Sequence, residues 1–331
     1  MCFSNHWEIA RAGGLCHDNF MKNCKRIAVI GSGAVGGYYG GLLQRAGCEV
    51  NFLLRSDYEH VREHGFQIDS VNGDFVLPNV RAWHNAYDMP PCDLVLVALK
   101  TTANHLLPDL LPPVIAPDGV VLTLQNGLAP EADVAACVGA DKVMGGLCFI
   151  CSNRIGPGHI RHLDYGLITL GEYRADGLPS GITARMEQVG ALLEEAGNSI
   201  RLEPDLHLAR WKKLVWNIPY NGLSVVHNCL TDVLMRQPET RALCRTLMEE
   251  VSAAAAACAR PIAPDFIEKM LSDTEGMSPY EPSMKIDYKL GRPMELKAIY
   301  ADPLCAARDA GVAMPETEKL YRQLCELNPA Q

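Results

Sequence analysis

Hydrophobic positions along this chain follow two different rhythms. In the first part they form short, nearly continuous apolar runs: RIAVI at Arg26–Ile30, CEVNFLLR after Gly47, DLVLVAL at Asp93–Leu99 and VVLTL at Val120–Leu124. Runs of this length, separated by helical stretches, predict strands buried on both faces of a parallel sheet. After residue 142 the segments VMGGLCFICSNR, HIRHLD and LITLGEY predict further strands, with turns at Gly156-Pro157-Gly158 and Asp164-Tyr165-Gly166. These read as an antiparallel extension of the same sheet. A helix over Ile182–Ala196 and a short strand, SIRLE, close this part near residue 203. From Asp205 onward the spacing turns almost entirely helical, including the alanine-rich EEVSAAAAACAR.

The first strand feeds directly into GSGAVGGYYGGLL, where Gly31, Gly33 and Gly36 make G-x-G-x-x-G. Between a strand and a helix this spacing is a dinucleotide fingerprint rather than a chance match. Gly31 makes the tight turn, Gly33 lets the backbone approach a pyrophosphate, and Gly36 lets helix and strand pack closely. The loop Gly31-Ser32-Gly33-Ala34-Val35-Gly36 is therefore the candidate phosphate cradle, backed by the positive end of the helix. The fold class expected is α/β: a Rossmann-type dinucleotide-binding domain with a parallel sheet and antiparallel extension over residues 24–203, then an all-α domain over 204–328.

The end of the second strand selects the cofactor. An NAD enzyme usually places Asp or Glu there for the ribose 2′-OH, whereas this chain has Arg55, 24 residues beyond Gly31. A guanidinium suits the 2′-phosphate of NADP, so NADPH is expected over NADH. Asp57 nearby is the feature that speaks the other way. Lys100, after DLVLVAL, and Asn126, after VVLTL, lie off carboxyl ends of strands, where ligands of open parallel sheets bind. Asn126-Gly127 equally suits a plain turn.

In the helical part, WKKLVWNIPYNG places Lys213, Asn217 and Asn221 four residues apart. At 100° per residue they fall within about 80° of one another on a helix whose other faces are apolar. Pro219 removes the hydrogen bond to the Val215 carbonyl and predicts a kink. Pro293 suits the first position of a new helix, which puts Glu295 in its first turn, ionised and favoured by the helix dipole. Ser283 and Asp287, four apart, share a helix face, so Asp287 either orients that serine or lies on the surface.

Taken together, IGSGAVGGYYG, LVALKTT, LQNG, the GG…RIGPGHIRH run, WKKLVWNIPYNGLS and PSMKIDYKLGRPMELKAI resemble the ketopantoate (2-dehydropantoate) reductases, over roughly residues 25–325. The resemblance implies reduction of the 2-oxo group of ketopantoate by an NADPH hydride, in pantothenate and coenzyme A biosynthesis. Carried onto this chain, it implies Lys213 as general acid, Asn217 and Asn221 contacting substrate, Ser283 binding its carboxylate and Glu295 its hydroxyl. Asn126 and Lys100 would sit where cofactor and substrate meet. The chain departs from the family's pattern at Pro219, Tyr220 and Lys285, which the sequence places beside the pocket. A different branched or larger 2-oxo acid is therefore the first alternative. A non-catalytic NADPH-sensing protein is the second, although such a protein would not need both Lys213 and Glu295.

Composition narrows the partners. The 331 residues carry a net charge of −9, so no basic surface awaits a nucleic acid. No run of about 18 apolar residues predicts a membrane span. Thirteen scattered cysteines, many in apolar runs, suit free thiols in a reducing cytoplasm. Cys148 and Cys151, three apart on a strand, point to opposite faces and make neither chelate nor redox pair; His159 and His162 fail as metal ligands for the same reason. No metal is expected. A small 2-oxo acid is the expected partner, and a homodimer is compatible with a sequence that leaves the oligomeric state open. Residues 1–23 lack the apolar stretch of a signal peptide and read as a disordered extension, with Met21 an alternative start.

Overall fold

The computed structural model describes residues 26–328; the expected extension over residues 1–23 lies outside them. Ten strands form one mixed sheet: β1 (Arg26–Ile30), β2 (Glu49–Leu53), β3 (Phe66–Ser70), β4 (Phe75–Leu77), β5 (Arg81–Trp83), β6 (Cys92–Val97), β7 (Ile115–Thr123), β8 (Val143–Gly156), β9 (His159–Glu172) and β10 (Ser199–Leu202). Their order is β4-β3-β9-β8-β7-β6-β1-β2-β5, with β10 paired to β9. Six neighbours, β5-β2-β1-β6-β7-β8, run parallel in the order of a dinucleotide-binding sheet. The register aligns Ile30 with Leu53 and Val97, and Val97 with Thr123. Their carboxyl ends therefore open along one edge, and the glycine loop, the residues after β2 and those after β6 and β7 meet there.

The antiparallel extension is present as the long β8–β9 hairpin. Its turn at Gly156-Pro157-Gly158 is where the sequence put it, with Gly158 at φ +61°. Asp164-Tyr165-Gly166 is not a turn. HIRHLD and LITLGEY are one 14-residue strand, and Tyr165 (φ +62°) and Gly166 (φ +133°) sit at register shifts against β8. Positive φ serves a bulge as readily as a turn, which is why the tripeptide misled. Strands β3, β4 and β5 are not evident from the sequence; β4 and β5 have only three residues each, too few to show a pattern.

A helix over Ala184–Glu195 packs on β10 and β9, and the all-helical part begins with a 21-residue helix, Leu206–Val226. Asp205 caps it, its carboxylate accepting the Leu208 N–H at 3.0 Å. The helix runs unbroken through Pro219. Its apolar side (Trp211, Leu214, Val215, Ile218) fills a second core with the helices Pro238–Ala257 and Pro315–Leu327. Gly145 and Gly171 leave room for Leu206, whose atoms would stand 2.6 and 2.9 Å from a Cβ at those positions. The start of the long helix is thereby seated on the sheet, and its polar face looks toward the strand ends. Among the described residues no helix is long and apolar enough to cross a membrane.

Candidate active site

The three fingerprint glycines divide their work as geometry demands. Gly31 has φ +96°, and a Cβ there would lie 2.5 Å from the Leu99 nitrogen. A Cβ at Gly36 would lie 2.3 Å from the Gly31 carbonyl oxygen. At Gly33 nothing stands within 4 Å. Two glycines are thus required by the protein's own packing, and the third leaves open space at the start of the helix Ala34–Arg45, room in which a pyrophosphate could approach the backbone. Ser32 turns away from that space, donating to the Leu53 carbonyl at 3.0 Å and tying the loop to the end of β2. The residues fit a dinucleotide.

Gly31, Gly33, Ala34 and Val35 form one end of a cleft whose other end holds Lys213, Asn217, Asn221 and Ser283. Its volume, about 370 Å³, falls within the ~300–1,000 Å³ of small-molecule sites. Lys100, Asn126 and Glu295 line it too. Lys213 donates to the Cys148 carbonyl at 2.8 Å, and burial pulls its ammonium down from 10.5 to about 8. Asn217 is buried, and its amide nitrogen has no partner among the described residues. A buried donor left unpaired costs about 1–3 kcal/mol, so an acceptor oxygen would be favoured there. Asn221 is part structural: its side-chain oxygen accepts the Met284 N–H at 3.2 Å and fixes the start of the short helix Ser283–Lys289.

Glu295 is held from the sheet side. One carboxylate oxygen accepts both the backbone N–H and the hydroxyl of Thr101, each at 2.9 Å, and the other accepts from Lys100 at 3.3 Å. Burial alone would raise this carboxyl, but Lys100 and Thr101 outweigh it and keep Glu295 below its usual range. The expected helix start at Pro293 is corrected: helical structure begins at Leu296, and the Glu295 carbonyl accepts the Ile299 N–H at 3.2 Å. The first turn, Lys297–Ala301, is wider than an α-helix, and the Gln125-Asn126-Gly127 loop packs against it. Leu128 donates to the Ala298 carbonyl at 3.1 Å, and a Cβ at Gly127 would meet Ala298 at 2.5 Å. Asp287 neither orients Ser283 nor lies on the surface. It is buried and pairs with Lys100 at 2.8 Å, burial raising its own carboxyl.

Other positions move outward. Pro219, Tyr220 and Lys285 do not line the cleft. Pro219 stands about 120° round its helix from Lys213, Tyr220 is packed beneath the Trp216 ring with its hydroxyl on the Met235 sulfur, and Lys285 donates to the Asn228 side chain. Arg55 is exposed just past β2 and outside the cleft lining. Asp57 is buried and ion-paired with Arg154, a cleft residue that no sequence motif marks. Nor does one mark Arg210, wholly buried three residues before Lys213. Arg210 donates to the Gln125 carbonyl at 2.6 Å and pairs with Glu131, so it fastens the Lys213 helix to the Asn126 loop. A lone arginine in LARWKK was the only available signal, since its partner stands 79 positions away.

Family models described as ketopantoate reductase PanE/ApbA and its C-terminal domain match residues 27–175 and 205–328. The chain belongs to the ketopantoate reductase family. It is accordingly an oxidoreductase acting on a CH–OH group of a small molecule. A 2-dehydropantoate 2-reductase of Nostoc is 53% identical over 91% of this chain and 95% of its own. Crystal structures of 2-dehydropantoate 2-reductases superpose along nearly their full length. The enzyme from Geobacter metallireducens is 43% identical with TM-score 0.87, covering 91% of this chain and 99% of that one. The enzyme from Methylococcus capsulatus is 34% identical with TM-score 0.82, covering 92% and 98%.

Proposed function

We propose that this family member is an NADPH-dependent 2-dehydropantoate 2-reductase of pantothenate biosynthesis. The observation that carries the reading is the single cleft that brings Lys213, Asn217, Asn221, Ser283 and Glu295 together with the open glycine loop at Gly33, the buried Asn217 amide lacking a partner among the described residues. In the cleft the cofactor supplies a hydride to the ketone carbon. Its phosphates belong on the Gly31–Gly36 loop and its 2′-phosphate beside Arg55.

Asn217 and Ser283 hold the substrate carboxylate, and Asn221 completes that wall while fixing the serine's helix. Lys213 stabilises the charge that grows on the carbonyl oxygen and then gives it a proton. Glu295, kept ionised, accepts the substrate hydroxyl and leaves the acid role to Lys213. Lys100 and Asn126 stand between the cofactor and substrate ends. Pro219, Tyr220 and Lys285 lie outside the cleft lining, so the family departures leave its walls intact and favour 2-dehydropantoate over a larger 2-oxo acid.

Lys213→Ala is expected to lower kcat for 2-dehydropantoate reduction by ~10²–10⁴, the range of an acid–base residue. Turnover near wild type would remove Lys213 from the mechanism.

A further inference from the structure

We propose that Arg154, held by Asp57, joins Arg55 to form a two-guanidinium site for the 2′-phosphate of the cofactor. The inference rests on the dinucleotide reading of the cleft and extends it to a residue and a loop outside the glycine fingerprint.

Strand β8 passes over the start of the glycine-loop helix, where the Ser152 hydroxyl donates to the Ala34 carbonyl at 3.3 Å. Arg154, two residues on, shares that strand face, and both residues line the cleft together with Gly31 and Gly33. From there one guanidinium nitrogen reaches the loop after β2, to the Asp57 carboxylate and, at 3.4 Å, to the Ser56 hydroxyl. The loop after β2 is where a dinucleotide sheet meets the adenosine ribose.

The carboxylate in this loop is already committed. Asp57 is buried, accepts the Ser56 hydroxyl at 2.9 Å and the Gly158 N–H at 3.3 Å, and pairs with Arg154. It is therefore not free to accept ribose hydroxyls as the acid of an NAD site would. Its role is to position Arg154. The Arg154 side chain is still 39% exposed, and its other two nitrogens have no hydrogen-bond partner among the described residues. Arg55, exposed in the same loop, brings a second fixed positive charge. With Asp57 neutralising one of the two guanidiniums, Arg55, Arg154 and Asp57 together keep one net positive charge and unused planar donors. A phosphate uses both, and a bare hydroxyl uses neither.

The test is direct binding of NADPH and NADH, measured by fluorescence titration on the full chain. Arg154→Gln should lower the ratio Kd(NADH)/Kd(NADPH) by about tenfold or more, the scale of one charge-assisted contact. Because that variant strands the Asp57 carboxylate, Asp57→Asn/Arg154→Gln is measured beside it and should lose the same preference. Arg154→Lys should recover part of it. An unchanged ratio, or equal weakening of both cofactors, overturns the proposal and makes Arg154 a structural or pyrophosphate contact. Wild-type binding of NADH as tight as NADPH overturns the NADPH reading itself.

Discussion

Lys213 carries its proton at neutral pH with little to spare. Burial brings the ammonium from 10.5 to about 8, and the Glu295 carboxylate offsets only part of that. The proposed acid role needs the protonated form, so the sign is fixed: kcat/KM is expected to hold below about pH 8 and to decline as pH rises through it. The reverse oxidation needs a proton acceptor and should gain over the same interval. A pH–rate profile checks both, and a reduction rate flat to pH 10 would contradict the assignment. Glu295 is already ionised below its ordinary range, so the acid limb of the profile does not come from it near neutrality. At this scale the sequence was informative about which residues meet, because Lys213, Asn217 and Asn221 announce themselves by helical spacing. It was silent about Asp287 and Lys100 as a pair, since nothing in local spacing joins positions 100 and 287.

The elements that build the site are fastened at one buried point. Arg210 and Glu131 lie almost wholly out of solvent, and the guanidinium also holds the Gln125 carbonyl. Arg210→Met leaves the Glu131 carboxylate buried and unpaired, for which about 3–5 kcal/mol of destabilisation is usual. Thermal melts should show that loss, and Arg210→Met/Glu131→Leu should recover most of it. If the single variant melts like wild type, the pair is not what joins the Lys213 helix to the Asn126 loop. The strands of the parallel sheet were legible because burial on both faces makes them continuously apolar. FVL and RAW were not, being three-residue strands at sheet margins. The bulge at Tyr165-Gly166 and the late start of the Glu295 helix share a cause: Gly and Pro mark where backbone changes course, not which course it takes.

At the scale of the whole molecule, the proposed site lies in the seam between a sheet edge and a helical face. Strand register sets the edge, bringing the ends of β1, β2, β6 and β7 level. The Leu206–Val226 helix sets the face, its apolar side in one core and its amides in the cleft. The two-part fold and the family were legible from motif order. Arg154 and Asp57 were not, because their meaning depends on a hairpin folding back across 97 positions of chain. The central claim is the substrate and cofactor pair, and NADPH oxidation across a panel of 2-oxo acids tests it most directly. The expected result is kcat/KM for 2-dehydropantoate far above every other acid, with NADPH preferred to NADH. Turnover confined to another 2-oxo acid, or none with any, would contradict it.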